Sequence, residues 1–173
     1  MTKLVRYGLV ALLGLAIAFA WNPIVLSYTM STTDWSYASF PVVKFQGYTS
    51  GYAPHGRKNP ATGRFAPHWG LDIAAPHGSP IVSFWDGVVT QVKFKSTGCG
   101  NEVTTKHGRW ESRHCHCQAI LVKPGQSVIS GQPIATIGQT GSATGSHDHW
   151  EVYFKGQILD PARVINAMKK AAR

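Results

Sequence analysis

The 173-residue sequence predicts a mainly β domain closed by one short C-terminal helix. Runs rich in Val, Ile, Thr and aromatic residues recur from Pro41 onward, at 42–45, 71–74, 81–85, 88–94, 102–106, 110–117, 120–122, 134–137 and 149–154. Gly and Pro punctuate them at 76–78, Gly87, Gly108, 124–125, Gly131 and Gly138, the spacing of short strands joined by turns. Near the end, Asp160 is placed to cap a helix and Pro161 suits its first position, while Val164, Ile165 and Met168 form an apolar stripe for packing.

Length and charge bound the function. A soluble part of roughly 130–140 residues buries an adequate core as one domain. Seventeen Lys and Arg against eight Asp and Glu favour an anionic partner. The basic residues are scattered and not interleaved with aromatics, so nucleic acid is not expected.

The N-terminus points to export. Lys3 and Arg6 precede an apolar run over 7–21, and Ala18-Phe19-Ala20 fits a signal-peptidase site. Apolar character resumes at Ile24, Val25 and Leu26, so 7–27 approaches the roughly 20 residues that span a bilayer. Residues 1–27 are thus a cleaved signal peptide or an inner-membrane anchor, 28–40 a linker and 41–173 the domain. Either way the domain is expected outside the cytoplasm, secreted or held at the inner membrane. Disulfides persist there. Folding 101–107 and 110–117 about Gly108-Arg109 brings Cys99 opposite Cys117 to within about one residue of register, which predicts a Cys99–Cys117 bridge with Cys115 free.

Two spacings carry chemistry. In Gly145-Ser146-His147-Asp148-His149-Trp150-Glu151, His147 and His149 share one strand face, and Glu151 continues that face. Glu151 is therefore placed to orient an imidazole, whereas Asp148 alternates away. In His68-Trp69-Gly70-Leu71-Asp72, a His and an Asp offer nitrogen and oxygen donors. An extended strand would hold their α-carbons about 13 Å apart, so a bend at Gly70 is expected to bring them together. Three protein ligands and one open position define a catalytic zinc. A third element, Arg113-His114-Cys115-His116-Cys117, places His114 and His116 on one face and both cysteines on the other. His55, His77 and His107 sit in turn-like contexts and read as surface residues.

This combination resembles the lysostaphin-type (LytM-like) zinc metallopeptidases. Further segments resemble that family in order: 63–76 around His68, Asp86-Gly87-Val88-Val89, Gly100-Asn101-Glu102-Val103, Lys106-His107-Gly108, 122–128, Gly131-Gln132-Pro133-Ile134 and 144–152. The resemblance covers roughly residues 50 to 160. It implies an antiparallel β-sheet groove of the duplicated hybrid motif type that cleaves peptide stems of peptidoglycan; with the N-terminal segment, this places the expected action in the periplasm or cell envelope, and a monomer is expected. It implies one Zn2+ on His68, Asp72 and His149, with His116 and His147 as catalytic residues. His116 is preferred to His114 because the family carries tyrosine-x-histidine here. Cys117 and Asp148 stand where leucines are usual, and Asn59 where a histidine is common, so Asp148 is the expected place for a substrate preference. The alternative is a non-catalytic module of the same fold that binds wall or activates another hydrolase, within an envelope-spanning secretion or transfer machine.

Overall fold

Short strands joined by tight turns make up nearly all of the fold, which a computed structural model describes for residues 33–60 and 62–173. In chain order they are β1 (Gly47–Ser50), β2 (Ala53–Lys58), β3 (Phe65–His68), β4 (Leu71–Ala74), β5 (Pro80–Val82), β6 (Gly87–Lys93), β7 (Glu102–His107), β8 (Trp110–Cys115), β9 (Ser127–Val128), β10 (Pro133–Thr136), β11 (His147–Phe154) and β12 (Gln157–Leu159), followed by helix α1 (Pro161–Ala171). The main antiparallel sheet has the order β1-β4-β11-β8-β7-β6-β9, with β12 also paired to β11. β5 pairs with β10 and β2 with β3. The helix packs against β11. It begins as expected: Asp160 accepts from the Ala162 N–H at 2.9 Å, and Val164, Ile165 and Met168 face inward.

Side-chain alternation divides the sheet. On one face of β11, Trp150 and Val152 are buried, and Trp150 meets Phe84 at 5.5 Å. Ile73, Ile81, Val103, Ile134 and Ile137 complete the apolar core. His147, His149 and Glu151 point to the other face, which forms the floor of a groove.

Several expectations change. The expected signal peptide or anchor at 1–27 lies outside the described residues, as do 28–32 of the expected linker. The rest of that segment is packed: Trp35 is buried against Phe84, Trp85 and Trp110, a long-range contact with no local signature in a polar stretch. The expected strands at 42–45 and 120–122 reduce to single bridges, Val42 to Ile81 and Ile120 to Ala135. β2 and β3, absent from the sequence reading, hold Pro54, Gly56 and Pro67, all weak strand formers. Among the described residues no helix is long and apolar enough to cross a membrane.

His107 is not a surface residue. It is 6% exposed, accepts from the Thr105 hydroxyl at 2.8 Å and donates from Nδ1 to the Asp86 carbonyl at 3.1 Å. Burial pushes it down to about 4, with the nearby His114 adding to the shift. Asp148, expected to influence substrate choice, is fully buried behind the groove. Its Oδ2 accepts from His114 Nδ1–H at 2.9 Å, Ser112 Oγ–H donates to His114 Nε2 at 2.8 Å, and Trp150 Nε1–H donates to Ser112 Oγ at 2.8 Å. The Ser-His-Asp sequence of contacts has no nucleophilic role here, because Ser112, His114 and Asp148 are all sealed from solvent. It is a polar strut in the core.

Asp148→Leu alone strands the buried His114 N–H and costs about 1–3 kcal/mol in urea unfolding. Adding His114→Phe recovers most of that loss, a coupling of about 0.5–3 kcal/mol in a double-mutant cycle. For His107, the unfolded chain, with a value of 6.5, takes up its proton before the folded one at about 4. Stability of zinc-free protein therefore declines as pH falls from about 6.5 to about 4, and His107→Gln flattens that decline in urea titrations.

Candidate metal centre and groove

Strand register assembles the site. β11 pairs with β4 so that His149 lies opposite Asp72, and with β8 so that it lies opposite Cys115. His68 closes β3 and Asp72 lies within β4, with the chain turning at Trp69-Gly70 between them, as the bend at Gly70 required. A Cβ on Gly70 would come within 2.8 Å of the His149 ring and 2.7 Å of the Trp150 carbonyl, so the missing side chain is what admits the imidazole.

Three donor atoms converge. His68 Nε2 is 3.0 Å from Asp72 Oδ1 and 3.0 Å from His149 Nδ1, and His149 Nδ1 is 2.8 Å from Asp72 Oδ1. The opposite edges of the rings are tied down: His68 Nδ1–H donates to the Gly51 carbonyl at 2.6 Å, and His149 Nε2–H donates to Glu151 Oε1 at 3.1 Å. These bonds leave Nε2 of His68 and Nδ1 of His149 as lone pairs facing a carboxylate oxygen, an arrangement that needs a positive charge between them.

The surrounding charges agree. Burial raises the Asp72 carboxyl, but the adjoining His149 and His68 rings outweigh it and hold the group well below the usual carboxylate range. Burial lowers His149, yet Asp72 and Glu151 on either side raise it to about 9. A metal ion competes with that proton for the same lone pair. Glu151 is itself pinned, accepting from Tyr153 O–H at 2.5 Å and Arg113 Nη1 at 3.2 Å, while Arg113 Nη2 reaches Glu102 at 2.5 Å. Despite burial, His149, Tyr153 and Arg113 keep the Glu151 carboxyl down at about 2.

The two further expected residues border the same space. His147 donates from Nδ1 to the Gly145 carbonyl at 2.9 Å, and its Nε2 lies 3.7 Å from Asp72 Oδ1. His116 donates from Nδ1 to the Thr140 carbonyl at 2.8 Å, and its ring stands 4.8 Å from that of His147. Burial, with His147 and His149 adding to it, pushes His116 down to about 4 and keeps it neutral. All five sequence-nominated residues line one groove of 330 Å³, together with Arg57. Arg57 Nη2 reaches the second oxygen of Asp72 at 3.4 Å.

His114 and His116 do not share a face. His116 has φ +62°, a left-handed conformation that costs a non-glycine residue of order 1–3 kcal/mol. It ends β8 at Cys115 and breaks the alternation. Cys115 and His116 consequently both line the groove. The predicted bridge is corrected by the same kink: Cys99 pairs with Cys115, and Cys117, turned into the core, is the free thiol. Local sequence gave no sign of a positive φ at a histidine, nor of the Gly51, Gly145 and Thr140 carbonyls that fix the imidazoles.

The donor set fits zinc. Two imidazole nitrogens and one carboxylate oxygen lie 2.8–3.0 Å apart, close to the roughly 3.3 Å separating tetrahedral ligands at zinc bond lengths. Comparison with known proteins agrees. Residues 66–161, more than half of the chain, match Peptidase family M23. The chain belongs to this family. It is 43% identical over 123 residues to the peptidoglycan DD-endopeptidase ShyB of Vibrio cholerae, covering 70% of this chain but 28% of that protein. A zinc-containing peptidase structure from Vibrio cholerae superimposes with a TM-score of 0.65 at 40% identity, covering 77% of this chain and 39% of that one. The catalytic domain of a mutant of the prophage-encoded M23 protein EnpA from Enterococcus faecalis gives 0.58 at 31% identity, covering 73% and 95%. The fold is thus the lysostaphin/M23 β-sheet groove read from the sequence.

The Glu151 contact is testable without activity. Glu151→Gln keeps the shape but removes the charge behind His149, and zinc affinity measured by chelator competition should fall about 10–100-fold.

Proposed function

We propose that this M23 chain is a zinc-dependent endopeptidase that hydrolyses peptide cross-links of peptidoglycan. The convergence of His68 Nε2, Asp72 Oδ1 and His149 Nδ1 beside two unliganded imidazoles carries the reading. His68, Asp72 and His149 would hold the metal. Zinc held there supplies Lewis acidity, polarising the scissile carbonyl and acidifying water.

The chain's own residues manage protons and position. With Nδ1 of both rings committed to carbonyls, His116 and His147 present Nε2 to the groove. A neutral Nε2 takes the proton from the attacking water and returns it to the leaving amine nitrogen. When protonated, either ring also stabilises the oxyanion of the tetrahedral intermediate. Among the described residues Asp72 is the carboxylate that meets His68, His147 and His149 together, while Glu151 behind His149 is paired with Arg113, so a zinc ion held by one anionic ligand would keep the positive charge that this oxyanion needs.

Relatives named peptidoglycan DD-endopeptidases make the cross-link between D-residues the first bond to test. A non-catalytic module would not need the complete donor set present here. The Cys99–Cys115 bridge supports an exported site of action, in the periplasm or cell envelope. Inner-membrane association through the N-terminal apolar run belongs to the same proposal, and so does monomeric action.

Purified full chain incubated with isolated peptidoglycan should release cross-link fragments detectable by mass spectrometry, and a chelator should stop it until zinc is restored. His68→Ala and His149→Ala should lose both zinc and activity. His116→Ala should keep zinc while kcat falls about 10²–10⁴-fold. Full turnover by any of these three variants contradicts the assignment.

A further inference from the structure

The disulfide lies in the groove wall, directly beside His116. His116 holds its left-handed backbone because the loop 97–101 and the segment 140–142 close around it. Its backbone N–H donates to the Cys99 carbonyl at 2.8 Å, and the Cys117 N–H donates to the Asn101 carbonyl at 3.0 Å. Thr140 supplies the other half of the clamp. Its carbonyl takes the His116 Nδ1–H, its hydroxyl donates to the Cys117 carbonyl at 3.0 Å, and the same oxygen accepts the Asn101 N–H at 2.9 Å. Contact is close enough that a Cβ on Gly100 would come within 2.5 Å of Thr140.

Residues 94–98 of the loop are exposed. The Cys99–Cys115 bond joins this otherwise hydrogen-bonded clamp covalently to β8, at the residue directly before His116. Both cysteines line the groove, and Cys99 is only partly buried, so a small dithiol can reach the bond.

We propose that the Cys99–Cys115 disulfide is a positioning device for His116, so that turnover requires the oxidised protein and a dithiol reductant switches it off without removing zinc. Reduction moves two electrons and two protons from the dithiol to the two sulfurs: the S–S bond breaks, Cys99 and Cys115 become thiols, and the reductant closes to its own disulfide. The inference rests on the catalytic role of His116 proposed above.

The zinc-loaded full chain should be assayed on peptidoglycan oxidised, after dithiothreitol, and after reoxidation, alongside Cys99→Ala/Cys115→Ala and Gly100→Ala. Reduction or the double substitution should lower kcat on the order of 10²-fold, with KM and zinc content unchanged, and reoxidation should restore the wild type. In zinc-free protein, NMR exchange should show the His116 amide and Nδ1 protons losing protection while β4 and β11 amides keep theirs. Gly100→Ala, which displaces the clamp without touching sulfur, should give the same signature and serves if the double variant does not fold. Cys117→Ala should remain active and redox-responsive, excluding exchange through that thiol. Unchanged kcat and unchanged His116 protection on reduction overturn the proposal, as does a loss of protection extending through β11. If oxidised, zinc-loaded protein cuts no peptidoglycan, the functional reading fails, while the exchange measurements still decide the positioning claim.

Discussion

The register of β11 between β4 and β8 is the constraint on which the site depends. It sets His149 opposite Asp72 and Cys115, and the two-residue period of the strand then fixes the destinations of its neighbours. A slip of one residue would bury His147, His149 and Glu151 and expose Trp150, so the apolar core enforces the register of the polar face. Core and groove are two sides of one strand, and the packing of Trp150 against Phe84 helps to hold the metal donors in place.

Around that register, hydrogen bonds decide what each imidazole can do. Four histidines face one small space, and each commits one ring nitrogen to an acceptor: Gly51, Gly145 or Thr140 carbonyls, or the Glu151 carboxylate. The remaining nitrogens are therefore unprotonated acceptors in the neutral state. Two of them adjoin Asp72 Oδ1 at 3.0 Å or less and form a metal-type set, while His147 Nε2 stands back at 3.7 Å and His116 lies beyond it, which suits both to the proton transfer proposed above. Roles are assigned by where each ring's second nitrogen is tied.

Much of this was legible in the sequence because strand alternation is a local rule. It separated His147, His149 and Glu151 from Asp148, and it required a bend at Gly70 between His68 and Asp72. Alternation failed where the backbone left the strand. At His116 a positive φ turns the chain over, separating two cysteines expected on one face and moving the disulfide from Cys117 to Cys115. The failures at His107 and Trp35 have another cause, since turn-like or polar surroundings conceal burial supplied by residues far along the chain. Two departures from the family pattern, His114 in place of the tyrosine of tyrosine-x-histidine and Asp148 in place of a leucine, are one event in space, a buried pair behind the groove, and no local reading could join them.

Within the groove wall, Cys99, Cys115 and Glu102 form a second cluster of potential metal donors. The disulfide commits both sulfurs, which leaves the nitrogen and oxygen set of His68, Asp72 and His149 for the ion. X-ray absorption spectroscopy of the zinc-loaded full chain tests this directly. The account predicts a shell of nitrogen and oxygen at about 2.0–2.1 Å with imidazole scattering and no sulfur. A shell at about 2.3 Å, the zinc–sulfur distance, would contradict it.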